Sequence, residues 1–228
     1  MKNSALKTIR PGGFFITGTD TDVGKTYATA CIGLSLLEQN FMISPRKPIA
    51  SGCIVQHDGS LLSEDALFVK QALGAVETLS TICPFTFKPP ISPQRALKQA
   101  GVTLNILDLV KACNKPSENV ALVEGAGGFY SPLCSDGLNQ HLAQALNYPV
   151  ILVIGNRLGC INSALLSIEA IKQSGLKLHC LIINDISPTS DIENVHDITA
   201  FVAKQSMAVY HLKYSKNYTA HIIPGFKA

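Results

Sequence analysis

The stretch FFITGTDTDVGKT, residues 14–26, decides how the rest of the chain is interpreted. Its first four residues predict a buried strand, and residues 26–39 predict a helix. Between them lies a turn of mostly small and polar residues that ends in Gly24, Lys25 and Thr26. A strand, such a turn and Gly-Lys-Thr at the start of a helix are typical of a loop whose backbone N–H groups hold phosphates.

The spacing of this loop departs from the usual pattern. The form GxxxxGKS/T would place glycine at Thr19, whereas the glycine is Gly18 and the loop is one residue longer. Two acids, Asp20 and Asp22, also lie where phosphates would approach. The alternative is an ordinary strand-to-helix turn with an incidental lysine. Because backbone donors and Lys25 would hold the phosphates, the acids do not contradict a phosphate site, and they suggest that the loop has a second role.

The rest of the chain alternates short apolar runs with helical patterns. The runs are apolar at nearly every position, as in parallel strands that helices cover on both faces. We therefore predict one α/β domain over residues 1–228, a doubly wound, mostly parallel sheet flanked by helices, with residues 1–12 as a loose N-terminal extension. Ligands of such sheets bind beyond the carboxyl ends of the strands. The predicted strands are residues 14–17, 41–44, 119–125, 149–155 and 178–184, and the predicted helices are residues 26–39, 63–73, 104–113, 138–146, 163–174 and 192–204.

Composition and charge exclude several classes of protein. Apolar residues make up 46% of the 228 residues and charged residues 15%, a balance that predicts a large buried core. The net charge of +3 is small and scattered, so no nucleic-acid partner is expected. The seven cysteines occur singly and their number is odd, which favours reduced thiols and a cytoplasmic location. No apolar run reaches the ~18 residues that a membrane helix needs, and the N-terminus lacks the apolar core of a signal peptide.

Several blocks of the sequence resemble the ATP-dependent dethiobiotin synthetase family, which belongs to the P-loop nucleotide hydrolase superfamily. The loop TGTDTDVGKT resembles the family's signature, including its extra residue. The resemblance runs from residue 14 to about residue 186. The other blocks are RKPIASG (46–52), SEDAL (63–67), VEGAGGFYSPL (123–133), PVILVIGNRLGCIN (149–162) and IINDI (182–186).

The resemblance implies an ATP-dependent ligase of biotin synthesis. In the family's reaction, CO2 joins one of the two neighbouring amines of 7,8-diaminopelargonate to form a carbamate. ATP phosphorylates this carbamate, and the second amine closes a cyclic urea to give dethiobiotin, ADP and phosphate. Such a site must hold Mg²⁺, balance the charge of the γ-phosphate and the carbamate, and exclude water.

Five residues suit this chemistry. Lys25 would contact the β- and γ-phosphates and Thr26 the Mg²⁺ ion. Lys47 follows a predicted strand and would lie between carbamate and γ-phosphate, the alternative being a solvated surface lysine. Asp65 and Glu124 offer the hard oxygen ligands that Mg²⁺ prefers. For Asp65 the alternative is an acid that stabilises the first turn of its own helix.

The resemblance also implies a nucleotide site and a substrate site. The start of the helix at residues 159–162 would bind the substrate carboxylate across a homodimer interface, whereas the residues alone predict that Asn162 is simply a helix N-cap. Asn184 and Asp185 would contact adenine, the alternative being an ordinary turn pair. The implied nucleotide set is Asp22, Val23, Gly24, Lys25, Thr26, Tyr27, Asp65, Glu124, Gly125, Ala126, Gly127, Asn184 and Asp185, and the implied substrate set is Thr21, Ser51, Gly159, Cys160, Ile161 and Asn162.

The chain departs from the family at two places. Relatives usually have a Gly-x-Ile-Pro segment after the last strand, which finishes the adenine pocket, whereas residues 207–228 read MAVYHLKYSKNYTAHIIPGFKA. This difference leaves the base selectivity open. The segment SPQR, residues 92–95, stands where the family more often has Ser-Pro-His, and no catalytic role is assigned to it.

Three other classes of protein remain as alternatives. A partitioning-type switch ATPase would carry lysine at position 20 and glycines at 21 and 22, where this chain has Asp20, Thr21 and Asp22. An amide synthase of the cobyrinic acid type would add a glutaminase domain, for which 228 residues leave no room. A degenerate nucleotide-binding module would not be expected to keep the full set of lysines, acids and threonine.

Overall fold

The computed structural model describes residues 12–228. Its strands are β1 (Gly13–Gly18), β2 (Ile43–Arg46), β3 (Ile49–Ala50), β4 (Ile54–Val55), β5 (Leu61–Leu62), β6 (Phe85–Thr86), β7 (Val120–Gly128), β8 (Pro132–Cys134), β9 (Gly137–Leu138), β10 (Val150–Asn156), β11 (Leu178–Asp185) and β12 (Ala208–Leu212). Its helices are α1 (Lys25–Glu38), α2 (Glu64–Leu73), α3 (Leu79–Ile82), α4 (Pro93–Ala100), α5 (Ile106–Ala112), α6 (Asn139–Leu146), α7 (Cys160–Gln173) and α8 (Ile192–Ala203).

Six strands form the central sheet in the order β12-β11-β10-β1-β7-β2, and every pair in it is parallel. The remaining strands form two-stranded pairs beside it. The strand order reverses around β1, which lies between β10 and β7 in the middle of the sheet. The predicted doubly wound parallel sheet is confirmed, and the carboxyl end of β1 is where such folds bind ligands.

Continuous burial explains why the apolar runs form these strands. All seven residues of β10 are buried, since helices cover both faces of the sheet. Local signals begin several helices: the Ser63 hydroxyl accepts from the Ala66 N–H at the start of α2, and Asn105 and Asp108 form a reciprocal capping box at the start of α5.

The two faces of the sheet have different coverings. On one face the core includes residues from helices α4 to α8, such as Leu109 and Ile198. On the other face α1 contributes Ile32, and the last residues of the chain contribute Ile223 and Phe226. An irregular segment, and not only helices, therefore closes the second face.

We call residues 213–228 the C-terminal strap, because they follow α1 from its first turn to its C-cap. Hydrogen bonds at three positions along α1 tie the strap to it: Tyr27 Oη donates to the Thr219 carbonyl at 3.4 Å, the Ile223 N–H donates to Ser35 Oγ at 2.8 Å, and Gln39 Nε2 donates to the Phe226 carbonyl at 3.0 Å. Phe226 is also 4% exposed. Burying such a side chain stabilises a fold by about 1.5–3 kcal/mol, so the strap is an integrated part of the core.

The structure contains several elements that the sequence-based prediction lacks, among them the short strands β3, β4, β5, β6, β8 and β9 and the short helix α3. Strand β12 and helix α4 were not predicted, and α7 begins at Cys160, three residues before the predicted start. β12 is an edge strand whose residues are only partly buried, so it lacks the continuous apolar run of the inner strands. α4 has only eight residues, of which Pro93, Ala96 and Leu97 are buried, so its apolar face is too short to stand out in the sequence. The predicted loose extension lies, for residues 1–11, outside the described part of the chain.

Two further findings concern the cysteines and the lengths of the helices. All seven cysteines are buried and unpaired. Within residues 12–228, no helix has the length and apolar character required to cross a membrane.

Candidate active site

The loop after β1 has a backbone conformation that requires glycine. Gly24 is the N-cap of α1 with φ 86°, in the left-handed region. A Cβ atom at Gly24 would also lie 2.2 Å from Asn184 Nδ2. The same Nδ2 donates to the Val23 carbonyl at 3.1 Å, so the end of β11 holds the turn in place. Asp22, which precedes this turn, has a left-handed φ of 56°.

Lys25 begins α1 as a buried cation whose direct partner is a carbonyl group. Its Nζ donates to the Asp20 carbonyl at 2.9 Å. Burial lowers the pKa of Lys25, and although the Glu124 carboxylate acts in the opposite direction, nearby Lys47 lowers it further. The first turn of α1 contains no acidic residue. An anion bound at this helix terminus would therefore meet free N–H groups and a cation already in place.

Lys47, Asp65 and Glu124 form a second charged cluster. Lys47 follows β2, is 7% exposed, and donates from Nζ to Glu124 Oε1 at 2.7 Å and to Asp65 Oδ2. Burial tends to lower the pKa of Lys47, but the Glu124 and Asp65 carboxylates outweigh it and raise the pKa above its ordinary value. For Asp65, burial acts to raise the pKa, and the Lys47 ammonium lowers it below its ordinary value. The alternative of a solvated surface lysine is wrong.

Glu124 connects the two clusters. Its Oε1 accepts from Thr26 Oγ1 at 2.9 Å, and its Oε2 accepts from Thr29 Oγ1 at 3.2 Å. The carboxylates of Asp65 and Glu124 and the Thr26 hydroxyl thus offer hard oxygen atoms beside the phosphate loop. Within the described residues, no group of three or more His, Cys, Asp or Glu side chains could hold a metal ion alone. A set of this kind fits Mg²⁺ when phosphate oxygens and water complete its coordination.

Both clusters lie in one cavity of about 950 Å³. The SPQR segment contributes Ser92 and Pro93 to its wall, at the start of α4. The structure therefore brings together residues from β1–α1, β2, α2 and β7 that are far apart in the sequence. The predicted site residues that line this cavity are Thr21, Asp22, Gly24, Lys25, Thr26, Tyr27, Lys47, Ser51, Asp65, Glu124, Ala126 and Gly127.

Two predicted residues lie behind the cavity wall. Val23 is 1% exposed and packs against Gly155 of β10. Gly125 faces inward, where an added Cβ would lie 2.5 Å from Asn139 Oδ1. Their side-chain positions face the core, so any ligand contact from them would come from the backbone.

The start of α7 does not line the cavity of its own chain. The prediction that Asn162 is the N-cap is wrong: the N-cap is Gly159, with φ 87°, and Asn162 lies exposed in the first turn. Glycine adopts the left-handed conformation without strain, so Gly159 can serve as the N-cap. The helix therefore begins at Cys160 and not after Asn162. The preceding Leu158 is completely exposed.

The predicted adenine contacts are engaged with other parts of the protein. Asp185 accepts from Asn156 Nδ2 at its Oδ1 (2.7 Å), and its Oδ2 lies 2.9 Å from His211 Nε2. Asn184, as described above, holds the Val23 carbonyl. Their contact with adenine stays a prediction.

Two residues that shape the site are not predicted from the sequence. Asn139 is fully buried, and its amide nitrogen holds the glycine-rich end of β7, donating to the Ala126 and Gly128 carbonyls at 2.7 Å each. Tyr218, from the C-terminal strap, lines the cavity. Neither position belongs to a recognisable motif, since each acts on a segment distant in the sequence.

A parallel α/β sheet with a glycine turn, a lysine and a threonine after its middle strand defines a P-loop nucleotide-binding protein. Consistent with this class, the AAA domain family model AAA_26 matches residues 12–209. The chain belongs to the ATP-dependent dethiobiotin synthetase family, and the resemblance seen in the sequence is confirmed.

Two relatives carry this assignment. The chain is 39% identical to the ATP-dependent dethiobiotin synthetase BioD of Ruthia magnifica subsp. Calyptogena magnifica, over 77% of this chain and 81% of that protein. It is 37% identical to the protein of that name from Vesicomyosocius okutanii subsp. Calyptogena okutanii (strain HA), over 83% of this chain and 85% of the relative. Among solved structures, the MinC:MinD cell division protein complex of Aquifex aeolicus matches with 15% identity and a TM-score of 0.51, over 90% of this chain and 84% of that chain, a likeness of fold alone.

Proposed function

We propose that this chain converts 7,8-diaminopelargonate, CO2 and MgATP to dethiobiotin, ADP and phosphate. It would do so as a cytoplasmic homodimer, with residues 1–228 forming one catalytic domain. The observation that carries the proposal is the position of Lys47, a buried ammonium in contact with Asp65 and Glu124, in the same cavity as Lys25 and Thr26. Family membership supports this reaction, and the two lysines and two carboxylates of the cavity support a role in balancing the charges of ATP, Mg²⁺ and the carbamate.

The phosphate end of the proposed site rests on the β1–α1 loop. Its backbone N–H groups and the Lys25 ammonium would receive the β- and γ-phosphates. Tyr27, in the first turn of α1, would contact the same nucleotide. Thr26, Asp65 and Glu124 would hold Mg²⁺, which supplies charge neutralisation between the phosphates. Since Thr26 and Thr29 both donate to Glu124, that carboxylate is already oriented toward the loop.

Lys47 would stabilise the charge that develops between the two substrates. One amine of diaminopelargonate attacks CO2 and loses a proton to give the carbamate. A carbamate oxygen then attacks the γ-phosphorus as ADP leaves, and the second amine attacks the carbamoyl carbon and loses a proton as phosphate leaves. Because neighbouring carboxylates raise its pKa, Lys47 stays an ammonium at neutral pH. Its role in the proposal is therefore electrostatic, and it is not a general base.

The substrate end would be completed by a second copy of the chain. Thr21 and Ser51 line the cavity and would contact the diamine. Residues 159–162 do not line this cavity, so in the proposal their N–H groups receive the substrate carboxylate in the partner's site. In the proposal the partner also covers Leu158, which is fully exposed beside this helix start.

The experiment that tests the proposal measures phosphate release by the purified chain with MgATP, bicarbonate and diaminopelargonate, each omitted in turn. Mass detection of the product accompanies it. Release that requires every component and gives dethiobiotin is the expected result. ATP hydrolysis that is indifferent to diaminopelargonate, without a cyclic urea, would overturn the proposal.

A further inference from the structure

We propose that Asn139 is a positioning residue for the reaction, because its buried amide holds a bulge of β7 against the reacting end of the cavity. The β7 bulge consists of residues 125–127. The inference rests on the proposed function, since it assigns Asn139 a role in that same reaction.

The β7 bulge lies outside the ladder of the central sheet. Ile16 of β1 is paired with Glu124 and Gly18 is paired with Gly128, so only one residue of β1 faces the three residues of the bulge. On the other side, the pairing of β7 with β2 ends at Val123. Buried backbone N–H and C=O groups need hydrogen-bond partners, and at the bulge the neighbouring strands do not supply a regular set of them. Bulges of this kind often redirect the chain beside active sites.

The Asn139 amide takes the place of the missing strand. Its Oδ1 accepts from the Ala126 N–H at 3.2 Å, and its Nδ2 donates to the Ala126 and Gly128 carbonyls at 2.7 Å each. The orientation of the amide is fixed, because only its nitrogen can donate to carbonyls and only its oxygen can accept from an N–H group. The side chain is fully buried, and a Cβ atom at Gly125 would lie 2.5 Å from its Oδ1, so the amide packs directly on the bulge.

The start of α6 holds Asn139 in place. The Asn139 N–H donates to the Ser131 carbonyl at 3.0 Å, and the Gln140 N–H donates to the Phe129 carbonyl at 2.9 Å. These two bonds fasten the helix to the chain that follows the bulge. The amide therefore ties the bulge to a helix at the point where the sheet does not hold it.

The bulge forms part of the cavity wall beside the charged groups. Ala126 and Gly127 line the cavity, and a Cβ atom at Gly127 would lie 3.8 Å from Thr21 Oγ1 of the phosphate loop. Glu124, which directly precedes the bulge, contacts the Lys47 ammonium at 2.7 Å. In the proposed reaction the γ-phosphate and the carbamate meet at Lys47. A wall displaced by about 1 Å at this point can lower the rate by about 100-fold.

The test compares Asn139→Asp with the unsubstituted full chain. Aspartate has nearly the same shape, but it places an oxygen against the Ala126 and Gly128 carbonyls, where the amide had a donor. We expect kcat for dethiobiotin formation to fall by about 10- to 100-fold, because the reacting groups lose their alignment. The dissociation constant of MgATP, measured by calorimetry, should stay within about threefold, because the groups of the β1–α1 loop that hold the phosphates remain. Asn139→Ala, which removes the amide without adding a charge, should give the same separation of kcat from affinity.

Hydrogen exchange followed by mass spectrometry gives a readout that does not depend on turnover. In Asn139→Ala the Ala126 N–H loses its acceptor, so exchange in the peptide that covers the β7 bulge should become faster. Exchange in peptides from α8, on the far side of the sheet sequence, should stay the same.

Asn119→Asp is the matched control at the opposite end of the same strand. The Asn119 amide donates to Ser44 Oγ at 2.9 Å just before β7 begins, and Asn119 does not line the cavity. This variant should lower the melting temperature. Well below that temperature, its kcat and its dissociation constant for MgATP should equal those of the unsubstituted chain.

Three results would overturn the inference. A kcat of both Asn139 variants equal to that of Asn119→Asp would show that the position of the bulge does not affect the reaction. Equal losses of kcat and of MgATP affinity would make Asn139 a general support of the fold. Unchanged exchange at the bulge in Asn139→Ala would show that Asn139 does not hold it. Failure of the proposed function is recognised separately, because the unsubstituted chain would then form no dethiobiotin.

Discussion

Two strand-to-helix turns of this chain have the same backbone geometry and different surroundings. Gly24 joins β1 to α1 with φ 86°, and Gly159 joins the paired strand β10 to α7 with φ 87°. Both helices begin without a side-chain cap. A Cβ at Gly24 would meet Asn184 at 2.2 Å, whereas a Cβ at Gly159 would have nothing within 4 Å.

The charged groups around the two turns also differ. Lys25 and the buried Lys47 lie beside the first turn and line the cavity described above. The second turn follows Leu158, which is fully exposed, and Arg157, which pairs with Asp20 at 2.8 Å. A helix N-terminus attracts anions in either case, and the tertiary environment determines whether the chain alone can enclose one.

The largest expected effect comes from removing Lys47, the buried cation that lies beside the first turn. Lys47→Ala should lower kcat by roughly 100- to 1,000-fold, the usual cost of losing one group that stabilises transition-state charge. The dissociation constant for ATP should change little, because Lys25 and the loop N–H groups remain. Turnover assays and calorimetry on the same preparation measure both quantities.

Lys111→Ala is the matched control for this variant. Lys111 has 74% of its side chain exposed and pairs only with Asp108 of its own helix, so its loss should not affect turnover. Turnover of Lys47→Ala equal to that of the control would remove Lys47 from the mechanism and would leave the two turns chemically alike.

Replacing the glycine of each turn by alanine tests whether the two turns differ in the space around them. Both Gly24→Ala and Gly159→Ala place a side chain in a left-handed conformation, at a cost of about 1–2 kcal/mol each. Gly24→Ala must also displace Asn184 and break its bond to Val23, so its melting temperature should fall further and its ATP affinity should drop. Equal losses of melting temperature in the two variants would contradict the view that only the first turn is crowded.

Asn162→Ala examines the second turn. If the start of α7 receives the substrate carboxylate, the KM for diaminopelargonate should rise by about tenfold while the KM for ATP changes little. Glu169→Ala, further along the same helix and exposed, serves as the control. Equal changes in both KM values would mean that Asn162 only supports the helix.

The smallest expected effect is a pH dependence of ATP binding at the first turn. The pKa of Lys25 in the free protein is lowered from its ordinary 10.5 by burial, so the ammonium loses its proton at a lower pH than an exposed lysine. The affinity for ATP should therefore fall as pH rises through this lowered pKa. Titration of Lys25→Arg, whose guanidinium stays protonated, should give a flatter profile over the same alkaline range. A parallel decline in both proteins would assign the effect to other groups.

Much of the fold could be predicted from the sequence because its inner strands are buried on both faces. The predicted runs at residues 149–155 and 178–184 match β10 and β11 within one residue at each end. Edge strand β12 and the short helix α4 were missed, since neither has a continuous apolar pattern. The prediction of Asn162 as the N-cap is wrong because Gly159 sets the start of α7. A glycine in a sequence does not show that its backbone is left-handed.

The candidate site divides in the same way. Lys25 and Thr26 were found from local spacing, because a P-loop is one continuous segment. Lys47, Asp65 and Glu124 were named through family resemblance, and their mutual contacts connect segments up to 77 positions apart. For Asp65, the contact with Lys47 shows a role beyond that of an acid at a helix start.

By itself, the sequence determined the parallel α/β class, the phosphate loop and the family, because each is written in a continuous run or in the order of short blocks. Only the tertiary structure decided which charges meet, how Asn139 and Asn184 hold the turns, and where the C-terminal strap lies. Tyr218 reaches the phosphate loop because Ile223 and Phe226 bury themselves against α1. That packing depends on surfaces formed by distant parts of the chain, and no local pattern of residues encodes it.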